Sequence, residues 1–319
     1  MIRRVASALV LAGAVTALPA LAQDSVVHLV VAFPAGGPTD FVARTISEQL
    51  GNELHKHVIV ENKSGGNGAV AAEYVARSTP DGTTIWLSSV GAVAINPVLY
   101  RKLAYDVKDL AAVSLVVNNN ELLVVNPANP AKNAAEFVAN ARKSSKPVAI
   151  ASTGIGSIPH LAMEQLAEST KVNFLHVPYK GAAPAITDLL GGQVSAFFGD
   201  VPGLIGQVKG GKLRAIGIAA PKRNPELPDV PTLAEQGLPG VDTDNWYGLF
   251  VSAKTPAAVI NALNEAARRT LATPAVRDKL EKAGAEPASS TPQELEKLLA
   301  HDTGKWGKLI KAKNISPEG

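Results

Sequence analysis

The sequence predicts an α/β protein of two lobes, each a mainly parallel sheet flanked by helices. Three observations carry this expectation. Apolar, β-rich runs alternate with helix-patterned segments along the whole chain. A strand, a glycine loop and a helix open the chain, and the same plan returns in its second third. With 319 residues, the chain has also reached the size at which single cores stop growing and two domains become the natural prior.

The N-terminus is read as an export address. Arg3 and Arg4 precede an apolar run from Val5 to Ala12, and Ala20 with Ala22 forms the A-x-A arrangement of a signal-peptidase site. Residues 1–22 are expected to be a signal peptide, leaving a mature chain from Gln23 that is soluble in the periplasm. The apolar run is too short to span a bilayer. The absence of cysteine excludes disulfides, thiolate metal sites, a cysteine nucleophile and a lipid-bearing N-terminal cysteine. Without Arg3 and Arg4, 29 basic residues face 28 acidic ones. No basic block with interleaved aromatics appears, so nucleic acid is not an expected partner.

Val26 to Phe33 reads as a buried strand, broken by Gly36-Gly37-Pro38. A helix follows from Pro38 to about Leu54, with Val42, Ile46 and Leu50 on one face. Val58 to Val60 is a short strand, and Ser64-Gly65-Gly66 turns it into a helix capped by Asn67 and running to about Arg77. Pro80-Asp81-Gly82 turns tightly into the strand Thr84 to Ser88. In the second unit, strands are expected at Leu122–Val125, Val148–Ala151, Phe174–Val177, Val194–Phe198 and Leu213–Ala219. Helices are expected from Asn133 to about Arg142, from Pro159 to about Ala167, and at Ala183–Leu190. A proline-rich crossing, Pro221 through Pro239, leads to the strand Trp246–Val251. Helices at Pro256–Leu271, Pro274–Ala283 and Pro292 to about Ile310 finish the chain, each with proline in its first turn. The expected division is lobe 1 at 23–124 plus 222–319 and lobe 2 at 125–221.

Two loops could carry chemistry. In Phe33-Pro34-Ala35-Gly36-Gly37-Pro38-Thr39-Asp40, Gly37 suits the N-cap, Pro38 position N1 and Asp40 position N3. Either the free N–H groups hold a ligand carboxylate or its waters, or Asp40 satisfies its own helix in a capped turn. Ser152-Thr153-Gly154-Ile155-Gly156-Ser157 is built the same way, and two such loops in separate lobes could face each other across a cleft.

Other chemistry finds little footing. Gly66-Asn67-Gly68-Ala69-Val70-Ala71 fits G-x-G-x-x-A but follows the second strand, and is read as a turn packing helix on strand. His55 and His57 have no third ligand and read as a surface turn. His160 and His176 could face the cleft or be satisfied core residues. No G-x-S-x-G surrounds any serine, and no nucleophile, base and orienting acid can be nominated together. The expectation is a binding protein with no catalytic residue, no metal and no cofactor.

An ordered set of segments resembles a known family. It comprises Phe33 to Asp40 with Ala43-Arg44, Val60-Glu61-Asn62-Lys63 with Gly65-Gly66, Pro80-Asp81-Gly82-Thr83, and Gly154-Ile155-Gly156-Ser157 with His160-Leu161-Ala162. It continues with His176-Val177-Pro178-Tyr179-Lys180-Gly181, Ala183-Pro184-Ala185, Asp188 to Val194, Leu227 to Thr232 and Gly237-Leu238-Pro239-Gly240. Together these resemble the substrate-binding receptors of tripartite tricarboxylate transporters, the Bug family, over essentially the whole mature chain.

The resemblance implies a hinge-closing, two-lobed periplasmic-binding-protein fold with two interlobe crossings. It implies a cleft that takes small carboxylates (dicarboxylates, acidic amino acids or aromatic acids) through backbone groups, hydroxyls and water. Carried over by position, ligand contacts fall on Phe33, Ala35, Gly36, Gly37, Thr39 and Asp40, and on Ser88 and Ser89. They continue at Ser152, Thr153, Gly154, Ile155, Gly156 and Ser157, with Tyr179 and Asp200 as neighbours. Ser195 stands where family members usually carry an acidic residue, and Gly199 before Asp200 is unusual. The implied partners are membrane permease subunits, with the receptor itself a monomer. The competing functions are a periplasmic sensor delivering its closed form to a signalling receptor, and a secreted enzyme on the same fold.

Overall fold

The computed structural model describes residues 26–317, so the expected signal peptide lies outside the described residues. The first part of the chain runs β1 (Val27–Val31), α1 (Pro38–Leu54), β2 (Val58–Asn62), α2 (Ala69–Ala76) and β3 (Thr84–Ser89). A π-helical turn at Gly91–Ile95 continues into α3 (Asn96–Leu99), and β4 (Leu110–Asn119) follows. The middle part runs β5 (Glu121–Val125), α4 (Ala134–Lys143), β6 (Val148–Ser152), α5 (Ile158–Thr170), β7 (Phe174–Pro178), α6 (Ala182–Leu190), β8 (Ala196–Asp200), α7 (Val201–Lys209) and β9 (Arg214–Ala219). The chain ends with β10 (Asn245–Ser252), α8 (Ala257–Ala272), α9 (Pro274–Lys282), β11 (Glu286–Pro287) and α10 (Pro292–Lys313).

Two sheets organise these elements, in the orders β11-β4-β10-β3-β1-β2 and β7-β6-β8-β5-β9. The two-lobed α/β expectation holds, with most strands of each sheet running in one sense. In each, three parallel strands are followed by one of opposite sense, β10 beside β3 and β5 beside β8, and beyond it β4 and β9 run again in the first sense. The cause is topological, because β5 and β10 each enter their sheet from the other lobe and so arrive in the opposite sense. The chain crosses at Asn120, between β4 and β5, and again ahead of Asn245. Between Ala219 and that second crossing, Leu227, Leu233, Leu238 and Val241 pack into the cores of the second sheet.

Period-two alternation serves two cores per sheet. Val27, Leu29 and Val31 of β1 face one cluster while Val30 faces the other. In β5, Leu123 and Val125 face one side, Leu122 and Val124 the opposite side. Helix α1 buries Val42, Ile46 and Leu50, the face its spacing predicts.

Two elements escape the sequence pattern. β4 is buried almost throughout, so it shows no polar alternation. α7 carries Pro202, Gly203 and Gly206, which look like breakers; Pro202 is tolerated in the first turn. Asn67 is not the cap of α2. Gly68 is, at φ +91°, where an added Cβ would lie 2.8 Å from Ala92. The G-x-G-x-x-A segment is thus a close-packed turn.

Candidate functional site

Where the lobes meet, a cavity of about 590 Å³, counting its open mouth, is lined from both sides. The first lobe contributes Phe33, Pro34, Ala35, Gly37, Pro38 and Thr39 from the loop after β1, with Asn67, Ser89, Gly91, Asn245 and Tyr247. The second contributes Thr153, Ser157, Ile158, Pro159, Asp200 and the run Lys180 to Pro184. Lys180 is the one lysine or arginine among these lining residues, and it is exposed.

Two helices reach this cavity from glycine N-caps, and a third, α7, starts here from Asp200, whose side chain makes no cap bond. Helix α1 starts from Gly37 and α6 from Gly181, and neither N-cap offers a side-chain acceptor. Their first-turn N–H groups have no intrahelical partner, which makes them donors for an anion. Gly181 holds φ +110°, and its Cβ position lies 3.4 Å from Pro34 of the opposite lobe. Glycine thus permits both the turn and the approach of the lobes.

Asp40 is committed to the first loop. Its Oδ2 accepts from the Gly36 N–H at 3.0 Å and from Arg44 Nε at 2.9 Å, and its Oδ1 accepts from Asn62 Nδ2 at 3.0 Å. Asn62 Nδ2 also donates to the Phe33 carbonyl at 2.9 Å. Burial pushes the Asp40 carboxyl up, but the donors Arg44, Gly36 and Asn62 together outweigh it and hold it below the ordinary range. Of the two readings the loop admits, satisfying its own structure is the one these bonds favour. Asp40→Ala is expected to cost about 2 kcal/mol of stability by stranding these donors, and to weaken ligand binding by loosening the loop. Urea denaturation and calorimetry read the two effects separately.

The second loop is held by two histidines. Ser157 caps α5 by accepting from the His160 N–H at 3.4 Å, and His160 Nδ1 accepts from the Gly156 N–H at 3.1 Å. His176 Nε2 lies 2.6 Å from Ser152 Oγ. The two rings stack 3.7 Å apart with planes 3° from parallel. Burial pushes His160 down to about 3, with the neighbouring His176 adding to it, and pushes His176 down to about 4. Both are therefore neutral at pH 7 and serve the loop; neither lines the cavity. Among the described residues, no cluster of three His, Asp or Glu could hold a metal.

The floor of the cavity is built where the chain changes lobe. Asp200 ends β8 opposite Glu121 of β5, and Asn245 of β10 lies opposite Asn119 of β4. Asp200 Oδ1 accepts from Asn245 Nδ2 at 2.7 Å and Oδ2 from the Tyr247 hydroxyl at 2.5 Å. Glu121 is fully buried, and burial, then the charge of Asp200, pushes its carboxyl well above the ordinary range. Burial raises the Asp200 carboxyl too, against the bonds with Glu121, Tyr247 and Asn245 that oppose the rise.

Comparison with known proteins identifies the scaffold. The family model described as "Tripartite tricarboxylate transporter family receptor" matches residues 42–315. The chain belongs to this family. The periplasmic binding protein BugD superposes with a TM-score of 0.86 at 33% identity, over 91% of this chain and 98% of its own. MatC from Rhodopseudomonas palustris, solved with bound malate, gives 0.83 at 32% identity, over 89% and 98%. A second R. palustris protein, solved with adipate, gives 0.88 at 32% identity, over 91% and 97%. The protein is therefore a receptor of the substrate-binding class, not an enzyme, and the family's binding proteins are periplasmic. No described helix is long and apolar enough to cross a membrane.

Half of the receptor residues picked out in the sequence line the cavity: Phe33, Ala35, Gly37, Thr39, Ser89, Thr153, Ser157 and Asp200. The others stand behind it. Gly36 and Asp40 bond each other, and the buried Ser88 hydroxyl donates to the Ser89 carbonyl. Gly154 bonds Ser152, and Tyr179 donates to Asp188 at 2.6 Å. Gly154, Ile155 and Tyr179 line an adjacent groove, and Gly156 packs on Leu99 of the first lobe. The sequence reading passed over Asn67, Gly181 to Pro184 and Asn245 as cavity residues. A signal existed for Gly181, since a glycine before Ala182-Ala183-Pro184 repeats the pattern of Gly37-Pro38.

Proposed function

We propose that this receptor captures a small carboxylate between its lobes and presents the closed form to the permease subunits of a tripartite tricarboxylate-type transporter. The observation that carries it is the convergence of two uncapped helix N-termini, α1 from one lobe and α6 from the other, on one cavity. A carboxylate placed between them completes donors on both sides only when the lobes are together. Its differential affinity therefore favours closure. Relatives solved with malate and with adipate support a carboxylate ligand. In this reading the receptor works as a periplasmic monomer, released from its N-terminal export segment.

Thermal-shift and calorimetric titration of the mature chain test it, with dicarboxylates, acidic amino acids, hydroxy acids and aromatic acids. At a hundred times its Kd, a ligand should add about 2.7 kcal/mol of stability, and its methyl ester should add none. A panel in which no carboxylate binds, or in which esters bind as well as acids, overturns the proposal.

A further inference from the structure

At the floor of the cleft, Asp200 and Asn245 turn acceptor oxygens toward the cavity. Asn245 is 4% exposed and lines the cavity. Its amide nitrogen faces Asp200 Oδ1 at 2.7 Å and Glu121 Oε1 at 3.4 Å, which fixes the amide's orientation. Its Oδ1 is then left without a partner among the described residues, as are Glu121 Oε2 and both polar atoms of Asn119. Buried polar atoms are ordinarily paired. The Tyr247 hydroxyl and the Asn245 amide are spent on Asp200, and Asn119, whose amide brings two N–H donors with its one acceptor oxygen, does not line the cavity. Toward the cavity, which neither Asn119 nor Glu121 lines, the floor offers Asn245 Oδ1 and the remaining lone pairs of Asp200.

The charge points the same way. Lys180, the one lysine or arginine lining the cavity, is exposed. Burial raises the Asp200 carboxyl as it raises that of Glu121, and at Asp200 the bonds with Glu121, Tyr247 and Asn245 oppose the rise. An ionised carboxylate seated on the floor would meet the Asp200 carboxyl and the unpartnered Asn245 amide oxygen, with no cation between them, in a partly desolvated site.

We propose that Asp200, with Glu121 and Asn245 behind it, makes the floor a subsite for a hydrogen-bond-donating group, so that the ligand's far end is a hydroxyl or an ammonium and not an ionised carboxylate. This rests on the reading that the ligand's near end is a carboxylate held by α1 and α6. The class of ligand is then a short hydroxy acid or amino acid whose donor lies opposite its carboxylate.

Calorimetric titration of the mature chain at pH 8 tests the proposal with ligands that differ only at the far end. The series are succinate, 4-hydroxybutyrate and 4-aminobutyrate, and the next homologues glutarate, 5-hydroxypentanoate and 5-aminopentanoate. In at least one series the hydroxyl or ammonium member is expected to bind tenfold or more tightly than the dicarboxylate. The ammonium leading means the floor reads charge, and the hydroxyl leading means it reads the hydrogen bond. Asp200→Asn should reduce that preference at least tenfold, with thermal unfolding as the control for folding. Glu121→Gln, which keeps the shape and leaves the Asp200 carboxyl in place, should preserve it. A dicarboxylate that binds as tightly as its partners in both series overturns the inference, as does Asp200→Asn weakening all members alike. Binding without preference overturns this inference alone; no binding by any carboxylate overturns the carboxylate reading with it.

Discussion

Gly156→Val should weaken ligand binding ten- to a hundredfold while leaving each lobe folded. Gly156 sits in the second-lobe loop at φ +73°, and a Cβ there would overlap the side chain of Leu99 and lie 3.4 Å from Ile95 Cγ2, both in the first lobe. Its carbonyl accepts from Asn67 Nδ2 at 3.0 Å, again across the lobes. A single methyl could be absorbed by rotation of Leu99, but the branched valine adds two more carbons to a contact already closed. Overpacking of this kind costs about 1–3 kcal/mol, which corresponds to roughly one to two decades of affinity. The overlap exists only when the lobes are together, so most of this cost falls on the closed form. The strain of a positive φ, about 1–2 kcal/mol, falls on open and closed forms alike. Leu99→Ala provides the internal check, because it makes room on the opposite wall. The double variant should recover a large part of the affinity lost by Gly156→Val. Calorimetry on the three variants decides it. A double variant no better than Gly156→Val alone would show that the loop fails for local reasons and not by wedging the lobes.

That contact also marks the limit of what the sequence could tell. The glycine loops were legible because turn chemistry is local: Gly37-Pro38 and Ser157-Ile158-Pro159 announce helix starts whatever surrounds them. The core face of α1 was legible for the same reason, since Val42, Ile46 and Leu50 repeat at helical spacing. β4 was not, because a strand buried on both faces has no alternation to display. α7 was hidden by Gly203, whose Cβ position lies 3.2 Å from Pro38 of the other lobe, a reason for glycine that no local pattern contains. The floor was the least legible part. Glu121 and Asn245 are 124 residues apart and meet only through sheet pairing and the two crossings. Nothing near Tyr247 in the chain says that its hydroxyl ends on Asp200. Loops reveal what a backbone must do, whereas the far end of a cleft depends on which strands become neighbours.

Acidification should destabilise the protein through its stacked histidines, and removing one should flatten that dependence by one proton. The folded-state values of about 3 for His160 and about 4 for His176 lie below the ordinary 6.5. For a base so depressed, the folded chain stays neutral while the unfolded chain takes up its proton as the pH falls through 6.5. Stability is thus lost on going from neutral pH downwards, and the loss ends only when the folded rings themselves titrate. Each histidine contributes about 1.4 kcal/mol per pH unit across that window. Glu121 opposes part of this, since its raised carboxyl holds a proton in the folded state that the unfolded chain has released. The difference between variants isolates the histidine from that background. His160→Phe keeps an aromatic ring over His176 but cannot titrate. Its urea-unfolding free energy between pH 6 and 4.5 should therefore fall less steeply than that of the unaltered protein, by about 1.4 kcal/mol per pH unit. The phenyl ring also leaves the Gly156 N–H without its acceptor, so the variant starts from a lower stability at pH 7. The slope, not the level, is the test, because a lost hydrogen bond shifts the whole curve without tilting it. Equal slopes would mean that His160 accepts a proton in the folded state. Nδ1 would then no longer accept from Gly156, and acid would release the second loop from its anchor before the protein unfolds.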